Sequence, residues 1–376
     1  MLKLSVRRRR LLSGVAAALL ACVWALPAAA ATGAQAKRPA ATARKKAAAK
    51  PAAKKTVRKT ATKAAAKTAP KTAAGRKVAA KTTTSSAARR RAVARARAAA
   101  RAREARELAT PRFKLDESGR EVPAPRAAAA IIYDPETNEV LFEERGLELR
   151  SIASITKVMT ALVALEAFAE PAEVVTVVRA DVARASTTYL RAGYKVSIDQ
   201  LMHLLLIGSD NAAARVLARV SPYGSEGFVA RMNEKARELG LTQTHYEEPS
   251  GLLSGNVSSA FDIARLIAYA AADERVGSVM RMAEYEFAPV KRTVHVNSTN
   301  RLVRTGEIEV LGGKTGFISS SGYCLATVVR LPQTGRQVAM VVLGARSNAA
   351  RFAETRHLFN WLNSATVATA ADGQQQ

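Results

Sequence analysis

Ser154 and Lys157 are the residues whose types and spacing most directly suggest chemistry. They stand three apart near the start of SIASITKVMTALVALEA, Ser151 to Ala167. A serine hydroxyl is a poor nucleophile at neutral pH, and a lysine takes its proton only where burial or a second cation lowers the lysine pKa. On a helix, a separation of three places both side chains on one face, within mutual reach. The helix itself supplies burial, because Val158, Met159, Ala161, Leu162, Val163 and Leu165 make it apolar nearly all round. Ser154 at its N-terminus would also lie beside free backbone N–H groups, which favour developing negative charge. An isolated S-x-x-K is more often an N-cap serine followed by a surface lysine. The reading therefore depends on what else the chain carries.

Two further stretches supply it. GSDN, Gly208 to Asn211, follows an apolar run, Ile198 to Ile207, that Gly208 closes as a helix, and it precedes the helical AAARVLARV. Ser209 and Asn211 are two apart in a loop between helices, where side chains can project into a cleft; taken alone, the pattern is an ordinary N-cap. The other stretch is LGGKTGFISSSGYCLATVVRL. Gly312, Gly313, Lys314, Thr315 and Gly316 are expected on a strand, with small residues admitting a ligand backbone and Lys314 supplying a cation for a carboxylate. A phosphate loop is excluded, because Ile308 stands where its first glycine belongs.

The elements that must position these residues begin at Arg126. AAAAIIYD and EVLFEE read as two strands around a turn at Asp134 and Pro135. The Ser154 helix follows, then a β-like stretch at Val174 to Val178 and a polar segment, ASTTYLRAGYKVS. Phe228 to Leu239 and Ala260 to Ala272 read as helices, separated by the loop YEEPSGLLSGNVSSAFD. Tyr323 to Leu331 and Gln337 to Leu343 form a second apolar hairpin, and a last helix spans Ala349 to Leu362. Domain organisation follows: 111–125 is a linker, 126–364 the folded domain and 365–376 a polar C-terminal tail.

The formal charge of +27 is confined to the N-terminal part. Residues 1–103 hold 28 of the 58 basic residues and no acid, which leaves 30 bases against all 31 acids in the remainder. Residues 1–36 have a cationic start, an apolar run from Leu11 to Leu26 and small residues after Pro27, the pattern of a secretory signal peptide cleaved after Ala30 or Ala36. A twin-arginine signal through Arg8 and Arg9 and a lipoprotein box at Cys22 stay open as variants. Residues 37–110 are almost wholly Ala, Lys, Arg, Thr and Pro, too poor in large apolar residues to offset ordering entropy, and are expected to be disordered with transient helix over Ala87 to Leu108. Such a tail is similar to the basic tails of linker histones, which hold nucleic acid by phosphate charge. Export argues against that partner and for anionic membrane or wall polymers, with a plain solvated spacer as the alternative. Cys324 is the only cysteine beyond the signal peptide, so no internal disulfide is expected and the core must carry stability. The histidines, His203, His245, His295 and His357, are scattered and outside H-E-x-x-H, so neither a metal site nor a cofactor is expected.

SITK, SDN and KTG, in that order, resemble the serine, shuttle and strand motifs of penicillin-binding proteins and class A β-lactamases. Ser209 and Lys314 follow Ser154 by 55 and 160 residues. Within that superfamily, Arg126 to Leu362 is similar to the low-molecular-mass D-alanyl-D-alanine peptidases. EEPSGLLSGNVSSAFD and VNSTNRLVR most resemble the branch of endopeptidases that cut peptidoglycan cross-links.

The resemblance implies an α+β fold of the β-lactamase/transpeptidase type: an antiparallel sheet flanked by helices, a helical lobe, and a cleft between them. It implies that Ser154 attacks the carbonyl of a penultimate D-alanine and that Lys157 is its general base. Ser209 would relay a proton to the leaving amine, and Asn211 would hold the peptide or the Lys157 side chain. Lys314 and Thr315 would bind a carboxylate, with Lys314 helping to keep Lys157 neutral. The Ser154 and Phe317 N–H groups, beside Gly316, would form the oxyanion hole. Peptidoglycan peptides would be substrates and β-lactams covalent inhibitors.

A class A β-lactamase is disfavoured, because no Glu-x-x-Leu-Asn string lies between Ser209 and Lys314, and Glu238, Glu247 and Glu248 lack that context. A passive basic scaffold is disfavoured by three intact motifs. The polar residues after Leu362 are expected to be too few for the β-rich second domain and amphipathic anchor of many D-alanyl-D-alanine carboxypeptidases of this group. That sets the expectation of a cross-link-cleaving endopeptidase with minor carboxypeptidase activity.

Overall fold

The computed structural model describes residues 74–290 and 292–372, with side chains in 86–289 and 293–365. The signal peptide and the basic stretch up to residue 73 lie outside these residues. At the centre is a five-stranded antiparallel sheet of β1 (Ala129–Asp134), β2 (Glu139–Glu144), β3 (Val310–Ile318), β4 (Gly322–Arg330) and β5 (Gln337–Ala345). Their order across the sheet is β3-β4-β5-β1-β2. β1 and β5 pair with Val341 opposite Ile131 and Met340 opposite Ile132. The middle strands are nearly continuous apolar runs because both faces of the sheet are covered, and a buried polar residue within them, Thr327, donates to the Gly312 carbonyl at 3.0 Å. Ile131, Tyr133, Ala339, Val341 and Leu343 join one core, and their neighbours Ala130, Ile132, Val338, Met340 and Val342 join another. This alternation is the strand period of two read at a sheet buried on both sides.

The first core contains the helices that carry the chemistry. These are α2 (Lys157–Ala167), α3 (Ile198–Leu206), α4 (Asn211–Val220), α5 (Gly224–Glu238), α6 (Ala260–Ala272) and α7 (Glu274–Met280), with α1 (Ala74–Ala109) preceding the sheet. α2 is buried from Lys157 to Ala164, as its all-round apolar sequence requires. α3 opens with a reciprocal cap, in which Ser197 Oγ accepts from the Gln200 N–H at 3.1 Å and Gln200 Oε1 accepts from the Ser197 N–H at 3.0 Å. The second core lies under α8 (Asn348–Asp372), where Phe352, Leu358, Phe359 and Leu362 cover the other face of the sheet. Among the described residues, no helix is long and apolar enough to cross a membrane.

Four expectations from sequence need correction. Residues 74–109 form helix α1, which takes in the stretch Ala87 to Leu108 where only transient helix without packing was expected: Ala and Arg are strong helix formers, and the last turn is tied down by Leu108 packing on the second core. Residues 111–125 are not a plain linker, since Phe113–Leu115 and Glu121–Pro123 pair as a hairpin. Its turn is set by Asp116, whose Oδ1 accepts from the N–H groups of Ser118 and Arg120, both at 2.9 Å, and by Gly119 at φ +82°. Residues 365–372 of the stretch expected to be a polar tail continue α8, because neither glycine nor proline interrupts them. Gly208 does not supply the left-handed residue after α3; Ser209 does, at φ +57°. Gly208 is small because a Cβ there would meet Tyr189 and Val296, each at 2.7 Å.

Candidate active site

Ser154 lies in a 3₁₀ turn, Ala153–Thr156, that runs directly into α2. Ala153 before it is left-handed at φ +48°, an arrangement that costs about 1–3 kcal/mol and persists only where the surroundings enforce it. They do so through the loop 247–258. Arg150–Ser151 pairs with Val257–Ser258, and the Ile152 N–H donates to the Asn256 carbonyl at 3.1 Å. Asn256 Nδ2 donates to Thr156 Oγ1 at 3.0 Å and to the Glu248 carbonyl at 2.8 Å. Gly251, at φ +80°, lies against the Ala153 carbonyl, where a Cβ would collide with it.

Lys157 is fully buried and takes three partners. Its Nζ lies 2.9 Å from Ser154 Oγ, able to donate as an ammonium or accept as an amine. It donates to Asn211 Oδ1 at 2.6 Å and to the Ser250 carbonyl. Burial pulls its pKa down to about 7, against the opposing charges of Glu248 and Asp210. The amine form is therefore accessible at neutral pH.

The SDN stretch divides its labour. Asp210 is the cap of α4, its Oδ1 accepting from the Ala213 N–H at 2.9 Å while Oδ2 accepts from Thr188 Oγ1 and the Tyr189 N–H. With the middle residue capping, Ser209 and Asn211 are left to face the cleft. Asn211 Nδ2 donates to the Ala185 carbonyl at 2.7 Å, which turns its Oδ1 towards Lys157. Of the two tasks expected for Asn211, the geometry has it gripping Lys157.

Strand β3 forms the opposite wall. Lys314 is buried, and its Nζ donates to Ser209 Oγ at 2.8 Å. Burial holds its pKa well below the usual lysine range, and the charges of Lys157 and Arg351 lower it further. At Lys157 burial is the largest cause of the lowering, ahead of the charges around it. Thr315 Oγ1 donates to Thr299 Oγ1 at 2.7 Å. The glycines of this strand also permit close packing of the elements around it. A Cβ on Gly316 would meet the Ile152 carbonyl at 2.8 Å and the Ser154 N–H nitrogen at 3.1 Å, and one on Gly313 would meet Asn300 Nδ2 at 2.7 Å. Glycine at 316 thus lets β3 lie against the nucleophile without covering its amide. Phe317 projects beyond it, about half exposed and stacked on Tyr323 with centroids 4.2 Å apart.

These residues enclose a cleft of about 250 Å³ lined by Ser154, Ser209, Asn211, Thr315, Gly316 and Phe317, together with Ser186, Thr187, Leu252, Thr299 and Arg351. Sequence reasoning missed Ser250, Thr299 and Arg351. Thr299 lay inside VNSTNRLVR, and Ser250 inside EEPSG, but their polar contacts here are long-range. Arg351 comes from α8, and its Nη1 donates to the Gly316 and Cys324 carbonyls at 3.0 and 3.2 Å. Glu248 is engaged by its own loop, accepting from Ser250 Oγ and from the Ser250 and Leu252 N–H groups.

A serine and an amine-competent lysine under an antiparallel sheet, faced by a second serine and a second lysine, define a serine peptidase of the penicillin-binding class. Residues 116–347 match the sequence pattern of the D-alanyl-D-alanine carboxypeptidase family, and the chain belongs to that family. It is 30% identical over 232 residues to a D-alanyl-D-alanine endopeptidase of Haemophilus influenzae, covering 61% of this chain and 80% of the relative. The Escherichia coli D-alanyl-D-alanine endopeptidase is 32% identical over 245 residues, covering 64% and 78%. The Streptomyces K15 DD-transpeptidase structure superposes with a TM-score of 0.59 at 27% identity, over 64% of this chain and 97% of that one. The protein is accordingly a serine DD-peptidase, a hydrolase.

Proposed function

We propose that the protein is a DD-endopeptidase that cuts D-alanyl cross-links of peptidoglycan, with minor carboxypeptidase activity on terminal D-alanine. The observation that carries the reading is the loop 247–258, which gives the Ser250 carbonyl to Lys157 and clamps the turn that holds Ser154. Its sequence, like VNSTNRLVR, resembles the endopeptidase branch most. Relatives from three species at 30–32% identity carry the endopeptidase name, which agrees.

In this mechanism neutral Lys157 takes the proton of Ser154 as Oγ adds to the D-alanyl carbonyl. The N–H groups of Ser154 and Phe317 stabilise the oxyanion. The C–N bond breaks as Ser209 relays the proton held by the Lys157 ammonium to the leaving amine, which returns Lys157 to its amine form and gives an acyl-enzyme that water then hydrolyses. Lys314 and Thr315 bind the free carboxylate on the leaving D-centre. That anion restores the charge of Lys314, which in turn disfavours charge on Lys157. β-Lactams acylate the same serine. The enzyme works in the periplasm, exported by residues 1–36, and the basic residues of 37–110 contact anionic membrane or wall polymers.

Incubation with purified cross-linked muropeptide dimers and with monomeric pentapeptide tests the choice of bond. Conversion of dimers to monomers faster than release of terminal D-alanine is expected. Rapid D-alanine release with dimers left intact would make the enzyme a carboxypeptidase.

A further inference from the structure

Helix α1 carries eleven basic residues and two acids, Glu104 and Glu107. Six arginines, Arg89, Arg90, Arg91, Arg95, Arg97 and Arg101, follow one another without an acid between them. All six are exposed, and none has an ion-pair partner among the described residues; the ion pair within the helix is Arg103 with Glu107. The C-terminal turn is fixed to the catalytic unit through Leu108 on the second core and through Arg126 Nη1, which donates to the Thr110 carbonyl at 3.5 Å.

How the charges are arranged selects the partner. At 3.6 residues per turn, the six arginines spread over about 240° of the helix circumference and about 18 Å of its length. A helix that lies on a bilayer needs an apolar face to sink into the headgroups. From residue 86 to 107 α1 has Val93 as its only large apolar side chain, and the sector free of these six arginines is mainly alanine, Ala88, Ala92, Ala96 and Ala99. A flat anionic surface would therefore meet only part of the charge, whereas a flexible chain can pass around the helix and meet all of it. Guanidinium groups also pair bidentately with phosphate and carboxylate oxyanions, which suits closely spaced groups on a polymer.

We infer that α1 is a binding site for a flexible linear polyanion, a polymer of phosphate or carboxylate groups that wraps the helix, and not for an anionic bilayer. The inference rests on the proposal that the basic tail contacts anionic material, and narrows it.

The test uses the full chain and a variant with all six arginines replaced by glutamine, which keeps helix propensity. Neither form is altered in the cleft, so acylation of Ser154 by a β-lactam should be equal in both and reports that each is folded. Binding to polyphosphate, to polyglutamate and to vesicles of anionic phospholipid is measured across a salt series. Tighter binding to at least one polymer than to vesicles is expected, at equal concentration of anionic groups. In the variant the slope of log K against log salt should fall by about four, the value for six charges on a flexible chain. The two polymers distinguish phosphate from carboxylate chemistry. An unchanged slope would overturn the assignment to α1. Tighter binding to vesicles would overturn the choice of polymer while leaving an anionic partner standing, and loss of all binding by the full chain would remove both.

Discussion

Lys157 sets the conditions under which Ser154 can react. Its pKa is drawn down to about 7 by burial, and the amine, not the ammonium, accepts the serine proton. Acylation by a β-lactam should therefore rise with pH and level off above 7, falling about tenfold for each pH unit well below it. Stopped-flow acylation between pH 5 and pH 9 measures this. Glu248 opposes the shift, so Glu248→Gln should move the acid limb to lower pH, and a limb that stays put or moves upward would mean Glu248 does not act on Lys157. The pair itself was legible in the sequence, because three residues on a helical turn bring two side chains together without help from the fold. Ser250 was not, since its contribution is a backbone carbonyl delivered across 93 residues of chain.

At the scale of elements, the site is two local backbones pressed together: the turn 153–156 and the loop 247–258. Ala153 holds a left-handed conformation that Gly251 accommodates, and Asn256 ties the loop to Thr156. Gly251→Ala asks a side chain to adopt φ +80°, at about 1–2 kcal/mol, and drives its Cβ into the Ala153 carbonyl. The expected result is a lower Tm together with acylation slowed at least tenfold, read by thermal unfolding and by β-lactam labelling. Unchanged labelling would mean that the loop does not set the nucleophile's position. Strands β1, β4 and β5 were legible as apolar runs, because burial on two faces leaves few polar positions to confuse the pattern. The hairpin Glu284–Val290 and Arg292–Asn297, which leads Thr299 to the cleft, was not. Pro289 and the charged Lys291 and Arg292 interrupt its alternation, and Phe287 and Val296 are its residues in the first core.

Across the whole molecule the sheet separates two cores, with the nucleophile on one side and α8 on the other. Arg351 joins them. It starts on α8, lies over the Tyr323 ring with its guanidinium 5.6 Å from the centroid, and donates to the carbonyl of Gly316, the residue packed against the Ser154 amide. Burial pulls its pKa down to about 10, so the guanidinium stays charged throughout the neutral range. Arg351→Met would fill much of the space yet leave the Gly316 and Cys324 carbonyls without this donor, at about 1–3 kcal/mol for each group left buried and unpaired. Stability should fall by a few kcal/mol. β3 should also shift relative to Ser154, slowing acylation by more than the loss of folded protein explains. Arg351→Lys, which keeps a charge but cannot reproduce the planar fork, should fall between Met and the natural residue. Denaturant unfolding, paired with acylation rates measured where every variant is fully folded, checks both effects. Acylation at the natural rate in folded Arg351→Met would confine Arg351 to stability and leave the position of β3 to the strand pairing alone.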